Sequence, residues 1–163
     1  MSLYHLSVTL HVLAALLWLG GMFFLAAVGA PVLRRVEPAE LRARLFQDLG
    51  LGFRRAGWIA IAVLLATGVA NLHFRGLLRE GVLTSPGFWT TDYGTWLGVK
   101  LATVAGMLAL SAVHDFHLGP RAGRAAPGTP EALRLRRWSA RVARANALLG
   151  LVVVAAAVRL ARG

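Results

Sequence analysis

Four apolar runs alternate with blocks of charge along this chain of 163 residues. The first run, 6–33, contains no Lys, Arg, Asp or Glu. The others are predicted at 56–74, 93–117 and 138–160. Each is close to or above the roughly 20 apolar residues that let a helix cross a bilayer. Backbone polar groups in hydrocarbon must be satisfied within the segment, so the runs are expected to be helices. The predicted fold class is therefore all-α: an integral membrane, up-down four-helix bundle forming a single domain over 1–163.

The connections differ in character. Arg34 to Arg55 holds six arginines. Within it, Glu37 to Glu40 is expected to start a short interfacial helix through Phe46, with most of the remaining charges in a solvated loop. His73 to Asp92 is irregular, punctuated by Gly76, Gly81, Pro86 and Gly87. Phe88, Trp89, Tyr93 and Trp96 there have the character of an interfacial aromatic belt. Gly119 to Pro130 has the Gly and Pro punctuation of a flexible loop. A basic run, Arg134 to Arg144, follows it.

Composition supports the membrane assignment. The chain is 57% hydrophobic and only 15% charged, against about half and a quarter in soluble domains. The net charge of +11 raises nucleic acid as a partner. The arginines instead flank apolar runs, as cytoplasmic anchors do, and no nucleic-acid recognition motif is present, so the expected partner is the lipid bilayer. Cysteine is absent, which excludes disulfides, thiolate zinc sites and covalently attached haem. Met1 to Thr9 lacks a basic n-region, so the first span is not read as a cleaved signal peptide.

Loop charge sets the expected orientation. The first and third connections are rich in arginine, whereas the middle one has only Arg75 and Arg79. The positive-inside rule puts both termini on the outer side of a bacterial-type inner (cytoplasmic) membrane. Gly20, Gly21, Gly29, Gly68, Gly98 and Gly106 permit close helix approach, and a homodimer burying glycine-bearing faces is compatible with such a thin bundle.

This topology sorts the ionisable groups within the spans. His5, His11, His73 and Lys100 fall toward the outer side. His114 and His117 fall at the inner end of the third span, at an i, i+3 spacing that places them on one helix face. An imidazole inside hydrocarbon is costly and marks a functional site by default, which singles out His11. Imidazole suits haem iron, copper and zinc, whereas Cu(I) favours sulfur ligands, and only Met1, Met22 and Met107 offer sulfur here. Non-covalent haem fits between helices with one histidine from each of two helices as axial ligands. The first pair is His11 with His73, with His5 as a substitute, and Lys100 beside a propionate. Copper held by His11, His73, His114 and His117 is the alternative. His5 and His73 also fit plain interfacial residues, His114 and His117 a solvated pair, and Lys100 a side chain reaching the headgroups.

Several stretches together resemble a known family. HVLAALLWLGGMFF (His11 to Phe24), FRRAGWIAIAVLLATGVANL (Phe53 to Leu72), TDYGTWLGVKLATVAGMLAL (Thr91 to Leu110) and RANALLGLVVVAAAVRL (Arg144 to Leu160) are similar, in order and spacing, to the helices of the CopD-type copper-resistance membrane domain. More distantly, the chain resembles the HemJ-type protoporphyrinogen oxidase family. That family has a histidine before a W-x-x-G stretch and a Lys-Leu in its third helix, which His11 and Lys100 with Leu101 would match. The resemblances imply copper handling or b-type haem. The HDFH sequence of His114 to His117 departs from both families.

The leading expectation is a membrane-bound b-type haem protein of CopD-like architecture, working in electron transfer or a small redox reaction at the outer face with an unidentified redox partner. The alternatives are copper binding or transport through the histidines, and a porphyrin-oxidising enzyme. If the protein is an enzyme, a haem-dependent oxidoreductase is the expected kind.

Overall fold

The computed structural model describes residues 2–126 and 129–162, and those residues form helices and turns with no strand. Four helices are long and apolar enough to cross a membrane: α1 (Leu3–Leu33), α2 (Ala39–Phe74), α4 (Asp92–Arg124) and α5 (Pro130–Arg162). A short α3 (Pro86–Thr90) precedes α4. This is a multi-pass membrane protein.

All four long helices outrun the predicted spans. The expected interfacial helix and the second span are one continuous helix, α2, so the connection from α1 shrinks to 34–38. Arg42, Arg44, Arg54 and Arg55 lie on this helix, and Arg34 and Arg35 stay in the connection. The reason is local: ten of the 17 residues from Ala39 to Arg55 are Leu, Arg or Ala, good helix formers, and none is proline. In the same way α4 continues through Arg124, into the stretch predicted as a flexible loop, and the basic run ahead of the fourth span is helical from Pro130. Hydropathy detects only the part of a helix that lies in lipid.

α2 stops where the sequence demands it. Gly76 has φ +72°, Leu77 N–H reaches Leu72 O at 3.0 Å and Gly76 N–H reaches His73 O at 2.8 Å. These bonds form a Schellman cap, whose left-handed position favours glycine.

The helices fall into two compact units, Met1–Thr91 and Asp92–Gly163. In the first, α1 and α2 run antiparallel. Tyr4 stacks edge-on against Phe74, and Arg75 Nε donates to the Tyr4 hydroxyl at 3.3 Å. At the other end of the pair, Trp18 is 5% exposed and its Cδ1 would lie 3.6 Å from a Cβ placed on Gly57. A Cβ on Gly21 would collide with the Phe53 ring. The small residues let the two backbones close around one buried indole and one phenyl ring. α1 also carries two π-helical segments, Leu16–Gly20 and Leu25–Gly29, the first of which contains Trp18.

In the second unit α4 and α5 are likewise antiparallel. Arg159 lies over the Trp96 ring, 5.5 Å from its centroid. Leu149 approaches Gly106, and Asn146 Nδ2 donates to Ser111 Oγ at 2.8 Å. Met107 is fully buried at 0% exposure.

Candidate metal site

Where α1 meets the C-terminal half of α2, four polar residues line an otherwise apolar seam. Ser7 and His11 are four residues apart on α1. Thr67 and Asn71 are four apart on α2. Each pair therefore shares a helix face. Ser7 and Thr67 are buried, at 8% and 9% exposure, and His11 and Asn71 are half-buried. Ser7 Oγ donates to the Thr67 carbonyl at 3.4 Å. His11 Nδ1 lies 2.8 Å from Thr67 Oγ1, and Thr67 Oγ1 lies 2.6 Å from Val63 O.

These distances fix the histidine tautomer. A carbonyl oxygen only accepts, so the Thr67 hydroxyl directs its single proton at Val63 O. Its oxygen then faces His11 as an acceptor, and His11 Nδ1 carries the proton. In the neutral ring the lone pair is consequently on Nε2. A metal-ligating imidazole is oriented in this way, one ring nitrogen donating to a neighbouring acceptor while the other binds the ion. One turn further along α2, Asn71 Oδ1 is buried with no hydrogen-bond partner among the described residues, and buried amide oxygens are ordinarily satisfied by protein, water or an ion.

The remaining candidates lie elsewhere. His73 is six residues beyond Thr67, about 9 Å further along α2 and a third of a turn around it. Its ring is exposed and edges against Phe74. His5 is six residues before His11, is also exposed, and its Nδ1 lies 2.6 Å from Oγ of Ser2, the residue that caps α1. The structure therefore brings neither His5 nor His73 to His11. Lys100 is half-buried in the second unit, one turn past Trp96 on α4. His114 and His117 lie on a π-helical segment, Val113–Leu118. His114 Nδ1 is 2.9 Å from Asp115 Oδ1, and the His117 side chain is exposed. Among the described residues no group of three or more His, Cys, Asp or Glu is arranged to hold a metal.

Thr67, Ser7 and Asn71 are the partners that sequence reasoning did not assign to a site. Their signal was present: a polar residue every fourth position within an apolar helix marks a face turned away from lipid. Ser111 and Asn146 answer to the same rule in the second unit.

Comparison with known proteins adds the chemical context. The chain is 28% identical over 155 residues to an uncharacterized protein of Aquifex aeolicus (strain VF5), covering 94% of this chain and 92% of that protein. No solved structure matches. The family model for copper resistance protein D, CopD, matches residues 49–160. That range begins within α2 and takes in Thr67, Asn71, His73, Lys100, His114 and His117, but leaves out α1 with His5 and His11. It speaks for copper, whereas the haem and HemJ expectations gain no support from it. Spanning more than half of the residues, this match shows that the chain belongs to the CopD family of copper resistance proteins.

Proposed function

We propose that this protein handles copper as cargo, taking it up at the outward end of the α1–α2 pair with His11 as the nitrogen ligand. The observation that carries the reading is the CopD match. The His11–Thr67 contact supports His11 as the ligand, because it leaves the lone pair of the neutral ring on Nε2. Imidazole nitrogen and amide oxygen form a donor set suited to Cu(II) rather than Cu(I), and the buried Asn71 Oδ1 is such an oxygen. One imidazole with one oxygen makes a weak site, which fits an ion that must leave as well as enter. The outward placement follows from the arginine-rich connections lying at the opposite end of the helices.

The test is copper content and copper uptake by the purified protein in proteoliposomes. Substituting His11→Ala is expected to abolish uptake above background. Thr67→Val removes the acceptor for Nδ1 and is expected to lower copper affinity 10–100-fold, the usual effect of losing such a partner, while Thr67→Ser retains it. Unchanged copper handling in His11→Ala overturns the assignment. An optical spectrum of the same samples reads the haem alternative: a Soret band lost in His11→Ala replaces copper with haem at this residue.

A further inference from the structure

The N-terminal part of α5 carries arginines that the copper reading does not use. Arg134, Arg137, Arg141 and Arg144 are spaced 3-4-3, which puts all four within about 80° of the helix circumference at 3.6 residues per turn. The stripe is about 15 Å long. All four side chains are exposed. No carboxylate pairs with any of them among the described residues. Arg141 lies over the Trp138 ring, 5.5 Å from its centroid, and Trp138 itself is 52% exposed. Arg144 Nε donates to Ala140 O at 3.1 Å, which holds its guanidinium along the helix. Four aligned and unneutralised guanidinium groups repel one another, so the stripe is complementary to a dense anionic surface.

Depth identifies that surface. The apolar part of α5 between Arg144 and Arg159 has 14 residues, about 21 Å of rise, against a hydrocarbon core of about 30 Å. The bilayer therefore draws Arg144 and Arg141 to its hydrocarbon edge. Arg137, about 6 Å beyond Arg141, lies within the headgroup layer of about 5–7 Å on each side, and Arg134, about 10 Å beyond, stands at its aqueous face, where its long side chain reaches back to the phosphates. Trp138 sits in the middle of the stripe, at the level where indoles anchor to an interface. An acidic protein helix would need the whole stripe to stand in water, which the depth of Arg137, Arg141 and Arg144 does not allow. We propose that α5 binds phosphate-bearing anionic lipid through Arg134, Arg137, Arg141 and Arg144. The guanidinium forks take phosphate oxygens in pairs, and Trp138 holds Arg141 in place. This site is independent of the copper reading.

The test is lipid binding by the full-length protein in neutral detergent, titrated with phosphatidylglycerol or phosphatidylcholine and read by native mass spectrometry and melting temperature. Phosphatidylglycerol is expected to bind and raise the melting temperature, and phosphatidylcholine to do neither. R134Q/R137Q is expected to weaken phosphatidylglycerol binding about 30-fold, at roughly fivefold per arginine. R134K/R137K retains the charge and most of the affinity. R124Q/R136Q removes the same charge off the stripe and leaves binding largely intact. Should R134Q/R137Q fail to fold, wild-type protein decides: its phosphatidylglycerol binding must fall steeply by about 0.5 M salt. Equal losses in the two glutamine variants, salt-independent binding, or displacement of the lipid by an acidic peptide overturns the proposal, the last in favour of a protein partner.

Discussion

At the scale of single residues the proposed copper site rests on His11, and the reason is protonic. Thr67 commits its hydroxyl proton to Val63 O, so it meets His11 Nδ1 as an acceptor, and the imidazole is left with one ligating nitrogen. His11 stands out in the sequence as a candidate, because an imidazole within an apolar run has few inexpensive explanations. Its partner does not. A threonine in a membrane helix commonly bonds only the carbonyl one turn back, and Thr67 does that and accepts from His11 as well. The expected partners, His5 and His73, lie six residues from His11 and from Thr67, each a third of a turn around its own helix. Asn71 provides a separate test. Asn71→Leu replaces a buried, unpartnered oxygen with an apolar group of similar size, so a purely structural role predicts unchanged or raised thermal stability. As part of the copper path, the same variant is expected to lose copper affinity without losing stability. Loss of neither copper nor stability assigns Asn71 no role.

At the scale of helices, both antiparallel pairs combine close packing with hydrogen bonds. The α1–α2 pair packs Trp18 over Gly57 and Phe53 against Gly21, with Ser7 and His11 bonded to Thr67. Gly21→Ala is expected to destabilise by about 1–3 kcal/mol, the usual cost of overpacking, in thermal unfolding of the detergent-solubilised protein. Adding Phe53→Ala is expected to recover part of that loss, since the collision is with the Phe53 ring, and simple additivity of the two changes contradicts this account. The α4–α5 pair adds a buried hydrogen bond, Asn146 to Ser111. Ser111→Ala is expected to cost about 0.6 kcal/mol, the average for such bonds between membrane helices. The existence and order of the four helices were legible because charge is excluded from the parts in lipid. Their ends were not, because Arg, Leu, Ala and Gln extend a helix into water as readily as they form a charged loop. The π-helical segments left no trace in composition: Leu16–Gly20 and Leu25–Gly29 read like any other apolar stretch.

At the scale of the whole molecule the helix overhangs carry the argument. α2 has 36 residues and α4 and α5 have 33 each, so they are about 54 and 50 Å long, well beyond a hydrocarbon core of about 30 Å. In all three the excess is arginine-rich and belongs to one end: the start of α2, the close of α4 and the start of α5. The opposite end of α2 carries only Arg75 and Arg79 in the connection that follows it. Positively charged segments near span ends are retained in the cytoplasm, so the overhangs are expected inside, with Ser2 and Ser85 outside. Since the chain has no cysteine, single cysteines report this without background. Ser2→Cys and Ser85→Cys are expected to react with a membrane-impermeant maleimide in intact cells, and Ala126→Cys and Thr129→Cys only after permeabilisation. The opposite labelling pattern would turn the molecule over. His11 would then face the cytoplasm, and the seam it forms with Thr67 would be a point of copper release instead of entry.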